Sequence, residues 1–405
     1  MASAACGAGM VLERSRPLRL FTLFTLYVGQ GMPIGLFWFA IPAWMAVNGA
    51  SAADVGSVGA LTALPWSVKL VNGFVMDRYT FLPMGRRRAW ILGAQGVMIA
   101  SLIAAALINP QSTDVAILGA LGFTVNMATT FQDVAVDGLA VDIMSEDERA
   151  RGSGMMFGGQ SIGIATATAI CGFVIEDFGA PAAFLAVAGI VFALCVYIVS
   201  FRERVGEKRL PWTEGDAHER NLSIQLEAWW PLLKSTFAAL TKSVSLLWLP
   251  VIFGRGIMYG TLTGMTPLIG ANFAGWQVSE ISSLTATAGL VAGVTCMTLG
   301  GWLGDRFGAK PIGIMWLVAG AAMCTFMAFA VPLWGHSAFF MGFVVTWITL
   351  DMLITVALLP ISMRLCDAKV AATQFTAYMA MMNLVTAYTS WWQGVVIEDW
   401  GYPVT

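Results

Sequence analysis

Two carboxylates one helical turn apart, Asp133 and Asp137, mark the most informative stretch of this 405-residue chain, Asn126-Met-Ala-Thr-Thr-Phe-Gln-Asp-Val-Ala-Val-Asp-Gly-Leu-Ala-Val-Asp. At about 100° per residue, Asn126, Thr130, Asp133 and Asp137 share one stripe of a helix, and Gln132 lies off it. Each carboxylate raises the proton affinity of the other, and withdrawal from water raises both, which favours proton uptake near neutral pH. The chemistry is proton loading and release. No nucleophile–base pair, phosphate-binding loop or metal-ligand cluster accompanies it, so the sequence reads as that of a non-enzyme without cofactor or metal. The six cysteines are scattered and include no CxxC pair, as expected of small buried apolar residues.

The elements that position these groups are membrane-spanning helices. Hydrophobic residues make up 58% of the chain and charged residues 11%, whereas an ordinary soluble domain is about a quarter charged. Mean hydropathy is +0.74. Apolar stretches near the length needed to cross a bilayer recur throughout, and spans are read at 18–46, 55–76, 89–108, 115–141, 153–175, 182–201, 244–271, 279–303, 312–333, 338–361 and 371–397. Of the 22 Lys and Arg, all but Lys69 and Arg255 fall at the N-terminus or in alternate loops, while the opposite loops carry Asp54, Asp114, Glu176, Asp177, Glu280, Glu398 and Asp399. Cationic loops stay in the cytoplasm, so the N-terminus is placed there. A net charge of −2 gives no footing for nucleic acid. The expected surroundings are the lipid bilayer of a bacterial inner membrane, with the chain acting as a monomer.

An internal repeat divides the chain. Gly-Phe-Val-Ile-Glu-Asp-Phe-Gly-Ala-Pro at 172–181 returns as Gly-Val-Val-Ile-Glu-Asp-Trp-Gly-Tyr-Pro at 394–403, and the segment 71–79 returns at 299–307, giving offsets of 222 and 228 residues. The expected fold is an all-α polytopic membrane protein of two six-helix halves in parallel, 1–201 and 244–405. A basic linker, 202–243, joins them. Its stretch from Ile224 through Trp229 and Trp230 reads either as a helix lying in the interface or as an early start of the seventh span. In the first half the Glu-Asp-Phe-Gly turn leads into a sixth span; by the repeat, a twelfth helix is expected beyond Thr405. Parallel halves with a solute site between them resemble the major facilitator transporters.

The loop after the second span strengthens that resemblance. Asp77-Arg-Tyr-Thr-Phe-Leu-Pro-Met-Gly-Arg-Arg-Arg, with Gly85, Arg86, Arg87 and Arg88, is similar to the Gly-X-X-X-Asp-Arg-X-Gly-Arg-Arg signature of that superfamily, and Gly301-Trp-Leu-Gly-Asp-Arg is its second copy. Glycines let helices approach closely, and an Asp at a helix end pairs with Arg and with helix termini. Asp77, Arg78, Asp305 and Arg306 are therefore read as a latch on the basic side. Positive-inside topology alone accounts for the arginines but not for two copies in register. Phe131-Gln-Asp-Val-Ala-Val-Asp-Gly, followed by Glu146-Asp-Glu-Arg-Ala-Arg-Gly, and Lys369-Val-Ala-Ala-Thr-Gln-Phe-Thr-Ala resemble the AmpG-type muropeptide permeases and the related acetyl-coenzyme A transporters. That resemblance implies proton-coupled import of anhydro-muropeptides, with Asp133 as proton carrier. At Val136-Asp-Gly the sequence is more similar to the acetyl-coenzyme A transporters.

Charges at membrane depth are costly unless they face a wet cavity or a partner. Asp133, about two turns inside its span, is read as functional, whereas Asp137, about one turn from the end, is read equally well as a solvated terminal carboxylate. Lys69, Arg255 and Asp351 lie inside the second, seventh and tenth spans and are expected either to line a solute cavity or to form a buried ion pair between the halves. Tyr27, Gln30, Gln132 and Trp347 join Asn126 and Thr130 as candidate solute contacts. Glycines 154, 158, 159 and 163, with 289 and 293, are read as close contacts between the fifth and eighth spans. Three functions fit: a proton-coupled importer of an anionic or amphipathic solute, an exchanger of coenzyme A esters or other organic anions, and a non-transporting protein that delivers a lipid or pigment. A scaffold has no need of Asp133, which favours transport.

Overall fold

The computed structural model describes residues 10–145, 149–223, 229–296, 299, 303, 306–366 and 371–405. Among the described residues, eleven helical segments of membrane scale follow the hydropathy pattern: α1 (Arg16–Val47), α2 (52–78), α3 (Arg88–Ile108), α4 (Val115–Ile143), α5 (Arg149–Phe178), α6 (Ala180–Val199), α7 (Ser243–Asn272), α8 (Val278–Thr295), α9 (Ala309–Phe329), α10 (Ser337–Arg364) and α11 (Ala371–Trp400). Among the described residues there is no strand, only an isolated bridge between Val11 and Arg202. A short helix, Trp229–Leu240, precedes α7, with Trp230 and Phe237 exposed on it.

Eight of these segments are long and apolar enough on their own to cross a membrane. The other three, α2, α8 and α11, all pack across the two halves: α2 runs against α11, and α8 against α5. Helices that face protein or a cavity rather than lipid can carry more polar side chains, and α11 buries Gln374, Thr386, Thr389 and Gln393.

Two helices expected to be continuous are interrupted, both by proline. In α2 the α-helix stops at Ala63, a 3-10 turn runs over Leu64–Val68 with Pro65 near its start, and the helix resumes at Lys69. Pro65 donates no backbone N–H, which loosens the hydrogen-bond ladder. Within this turn the Trp66 carbonyl accepts a hydrogen bond from Asn383 of α11 (3.3 Å). In α1 the segment Gly35–Ala40 widens into a π-helix between Pro33 and Pro42; such turns frequently mark functional sites. Here the π-helix carries Trp38.

The halves are tied together at the end that carries the acidic loops. Glu398 accepts a hydrogen bond from the Ala53 amide (2.9 Å), and Glu176 accepts one from the Ser279 amide (3.0 Å). A methyl group on Gly56 would collide with the Ser390 carbonyl, and one on Gly394 with the Ala52 carbonyl. Toward the basic end the packing opens. Gly158 of α5 and Gly289 and Gly293 of α8 face nothing within 4 Å. The expected glycine seam between α5 and α8 is therefore corrected. Gly159 and Gly163 press on Phe24 and Val28 of α1 in their own half, while the crossing of α5 with α8 is made by Gly172 against Ser282. Small residues fit whichever helix lies nearest, and sequence spacing does not specify that neighbour.

Candidate functional site: two buried ion pairs beside an interdomain cavity

The stripe of α4 is assembled as its periodicity predicts, and α1 and α2 supply its partners. Asp133 forms an ion pair with Lys69 of α2 and accepts a hydrogen bond on Oδ1 from Gln30 Nε2 of α1 (2.6 Å). Asp137 accepts from the Tyr27 hydroxyl and lies 3.5 Å from Lys69 Nζ. One ammonium thus serves two carboxylates. Only 4% of the Asp133 side chain is exposed, against 24% for Lys69 and 44% for Asp137, so the deeper acid is sealed behind two groups that reach solvent. Farther along, Asn72 donates to Thr130 (2.9 Å), and Asn126 Oδ1 accepts from the indoles of both Trp38 (3.2 Å) and Trp66 (3.1 Å). Gln132, off the stripe, donates to the Leu26 carbonyl of α1 (3.1 Å) and is sealed in helix packing away from the cavity.

The second half carries a simpler pair. Arg255 Nη2 of α7 lies 2.7 Å from Asp351 Oδ2 of α10, and the guanidinium sits 4.8 Å above the Tyr259 ring. Both ion pairs lie within a half. The alternative of a pair joining the halves is thereby corrected: each charge is neutralised by a neighbouring helix of its own half, so relative motion of the halves breaks neither.

Between the halves lies a cavity of about 370 Å³, within the size range of small-molecule sites. Its walls are aromatic on several sides, with Trp38, Trp66, Tyr259 and Trp347, and polar at Gln160, Asn383, Arg255 and Asp351. Trp38 and Tyr259 approach across the halves with ring centroids 6.2 Å apart, and Tyr259 continues to Trp347 at 6.4 Å. Of the expected solute contacts, Arg255 and Trp347 line the cavity, while Asn126 reaches it through the two indoles it holds. Tyr27, Gln30, Thr130 and Lys69 belong to the cluster behind it. Trp38, Trp66, Gln160 and Asn383 were not singled out from the sequence. The rule that selected Asp351, polarity at membrane depth, also selects Gln160 and Asn383; the tryptophans carried no signal distinguishing them from lipid-facing ones.

At the basic end, the arginine triplet turns inward on its own half. Glu203, in the linker after α6 and fully buried, accepts hydrogen bonds from the backbone amides of Arg86, Arg87 and Arg88 (2.9, 2.9 and 2.7 Å). Burial pushes its carboxyl above the ordinary range, and those amides oppose the rise. Gly85 has φ +97°, and a Cβ there would strike the Glu203 carboxylate, which explains the glycine. The buried Arg88 guanidinium donates to the carbonyls of Met84, Ile198, Lys208 and Arg209. Arg87 Nε lies 3.5 Å and Arg86 Nε 3.9 Å from Asp142 of α4. Glu203 was missed because nothing in a charged linker distinguishes a buried acid from a solvated one. Arg78 is exposed, and Arg306 lies against the Phe307 ring. The Asp77 side chain, Gly301 and Asp305 lie outside the described residues, as does Gly154 through its side-chain position.

Comparison with known proteins matches this architecture. The Major Facilitator Superfamily pattern covers residues 23–390. The anhydromuropeptide permease of Escherichia coli strain K12 is 22% identical over 397 residues, spanning 96% of this chain and 77% of that protein. The putative transporter AmpG 4 of Rickettsia felis is 26% identical over 216 residues, 48% of each chain. Among solved structures, a bacterial homologue of the human lysosomal transporter Spinster, inward-facing and unoccupied, superposes with a TM-score of 0.70 at 14% identity, covering 95% of this chain and 84% of that one. The nucleoside transporter NupG gives 0.69 at 13%, covering 94% and 91%. At such identities the solved structures establish the fold. The chain belongs to the major facilitator superfamily and is an integral membrane transporter of small solutes, not an enzyme.

Proposed function

We propose that this protein is a proton-coupled importer of an anionic or amphipathic solute such as a muropeptide, working as a monomer in a bacterial inner membrane with its N-terminus in the cytoplasm. The observation that carries the reading is the placement of Asp133: a buried carboxylate sharing one lysine with a half-exposed carboxylate a turn away. A buried acid with a dedicated cation stays charged unless another anion takes that cation. With two carboxylates on one ammonium, Lys69 stays neutralised by Asp137 when Asp133 takes up a proton. The buried Gln30 Oε1 has no hydrogen-bond partner, and rotation of that amide by half a turn would offer it as the acceptor a protonated Asp133 requires.

On this reading the basic end is cytoplasmic, the halves are closed outside and open inside, and Asp133 in its ion pair has already released its proton through Asp137. Outward opening exposes the aromatic cavity, solute and proton load together, and the halves rock back. The similarity to the Escherichia coli permease supports a muropeptide cargo. Uptake of a radiolabelled anhydro-muropeptide into proteoliposomes under an imposed pH gradient tests it. The wild type is expected to concentrate the solute, and Asp133→Asn to lose accumulation while keeping solute exchange. An Asp133→Asn protein that concentrates solute with the wild-type pH dependence overturns the assignment.

A further inference from the structure

Arg255 is a cation with donors to spare. One terminal nitrogen holds Asp351, the other makes only a 3.6 Å contact with the Met382 sulfur, and Nε has no partner although it is buried. Across the same wall of the cavity, Asp351 is 94% buried yet its Oδ1 accepts nothing, and the Trp347 indole N–H, 98% buried, donates to nothing. Unmet donors and acceptors in a buried site are costly, and here they converge on the cavity that Tyr259 and Trp347 help to line. The cluster behind α4, by contrast, has its cation engaged by two acids.

We propose that Arg255 is the receptor for a carboxylate group on the solute, and that Asp351 is the internal carboxylate which that group displaces. This deepens the importer reading and rests on it. The incoming carboxylate takes the Arg255 fork, where a planar guanidinium accommodates two oxygens in parallel. Trp347 donates its indole N–H to the same group or to its neighbour, and the apolar or ring portion of the solute packs against the aromatic wall of Tyr259 and Trp38. Asp351 then sits buried without a cation and takes a proton from water on Oδ1, so the site holds one negative charge against one positive charge before and after. The titratable groups that face Asp351 are Arg255 and Tyr259 of α7 and Cys296 at the end of α8; of these only Arg255 carries a charge to be exchanged. The solute class is thus a carboxylic acid with a flat apolar or sugar face beside the carboxylate.

The test is calorimetric titration of the purified full-length chain in detergent, run in two buffers of different ionisation enthalpy so that protons taken up per bound molecule are counted. The probes are N-acetylmuramic acid with N-acetylglucosamine, the same ring without the lactyl carboxylate, and benzoate with benzamide. Each acid is expected to bind at least about tenfold more tightly than its neutral partner, with close to one proton taken up. Arg255→Gln abolishes the preference, and Asp351→Asn, which removes the internal competitor, tightens acid binding and eliminates the proton uptake. Acids and neutral partners binding alike, no acid binding at all, or Asp351→Asn weakening acid binding at an unchanged unfolding temperature each overturns the proposal. The wild-type comparison stands even if a variant fails to fold. Benzoate binding through Arg255 without muramic acid binding leaves this site intact and removes the sugar acid as its ligand, the muropeptide cargo being decided by the uptake assay. Muramic acid binding equally to wild type and Arg255→Gln does the reverse.

Discussion

The two halves carry the same pairing of a cation with an aspartate on neighbouring helices and use it differently. Around Asp133, the lysine is shared with Asp137, Gln30 and Tyr27 add hydrogen bonds, and the cluster lies behind the cavity wall. Around Asp351, the arginine has one carboxylate, a ring beneath it and unused donors, and the pair lies in the wall itself. A charge behind a wall can respond to protons that reach it past Lys69 and Asp137, yet it does not touch a solute in the cavity. A charge in the wall can do both. The difference teaches that duplication of a scaffold need not duplicate its local arrangement: on the proposed reading one half serves proton handling and the other solute recognition.

Transport is the most direct way to break the comparison. Asp133→Asn is expected to reduce gradient-driven accumulation by about a hundredfold or more with exchange retained, as general for a lost proton-transfer group. Asp137→Asn is expected to be milder, since water can replace a half-exposed carboxylate. If both substitutions are equally severe in the same vesicle assay, the deeper and shallower acids do not have the separate roles their burial gives them.

Stability distinguishes the two cations next. Removing one partner of a buried ion pair leaves an uncompensated charge and costs about 3–5 kcal/mol in a sealed interior. Lys69→Gln leaves two carboxylates facing each other behind the wall, whereas Arg255→Gln leaves Asp351 beside a cavity that water can enter. The larger fall in thermal unfolding temperature is therefore expected for Lys69→Gln, with Asp133→Asn restoring part of it in the double variant. Equal losses would mean that the two sites are equally dry.

Closure at the acidic end tests the state on which both readings rest. Gly394→Val places side-chain atoms where the Ala52 carbonyl lies, so the outward ends cannot approach as they do here. Spin labels at Asn109 and His336, on loops of opposite halves at that end, are expected to report a longer mean distance in the variant and accumulation reduced about tenfold. An unchanged distance distribution would show that some other contact sets the closed state.

Most of the scaffold was legible in the sequence because lipid leaves few alternatives: spans need apolar length, and the basic loops alternate with the acidic ones. The stripe of Asn126, Thr130, Asp133 and Asp137 was legible for a similar reason, since helical period alone fixes which residues share a face. What the sequence concealed depends on neighbours distant in the chain. Gln132 has the same composition signal as Gln30, and only packing sends one to a backbone carbonyl and the other to Asp133. Lys69 and Arg255 each had two acids within plausible reach, and pairing within a half was decided by helix adjacency. The arginine triplet was readable as basic, but its tie to Glu203, more than a hundred residues later, had no local signal.

The smallest effect expected concerns the linker, where acid chemistry is structural and tests whether all buried carboxylates here serve transport. Glu207 is fully buried, accepts hydrogen bonds from the Arg204 amide and the Asn221 side chain (both 2.9 Å), and lies near Glu203. Burial, and then the neighbouring Glu203 charge, raise its carboxyl from the ordinary 4.5 to about 7. An acid whose folded value is raised favours the folded clasp while protonated: the contribution is complete below about pH 4.5 and is lost as pH rises through about 7. The clasp that joins Glu203, Arg204 and Asn221 is therefore expected to open more readily at pH 8 than at pH 5.5, by at most about tenfold per pH unit. Amide hydrogen exchange over 203–221, corrected for intrinsic rates, reads this directly, through amides such as Asp216, bonded to the Gly206 carbonyl, and Lys208, bonded to that of Pro83. Glu207→Gln is expected to flatten the profile while leaving proton-driven uptake within about twofold of wild type, because a neutral amide retains the shape and no solute path reaches it. If exchange is flat in the wild type, Glu207 is ionised throughout and the clasp is held by its charge; if Glu207→Gln instead abolishes uptake, the linker acid belongs with Asp133 in the transport cycle.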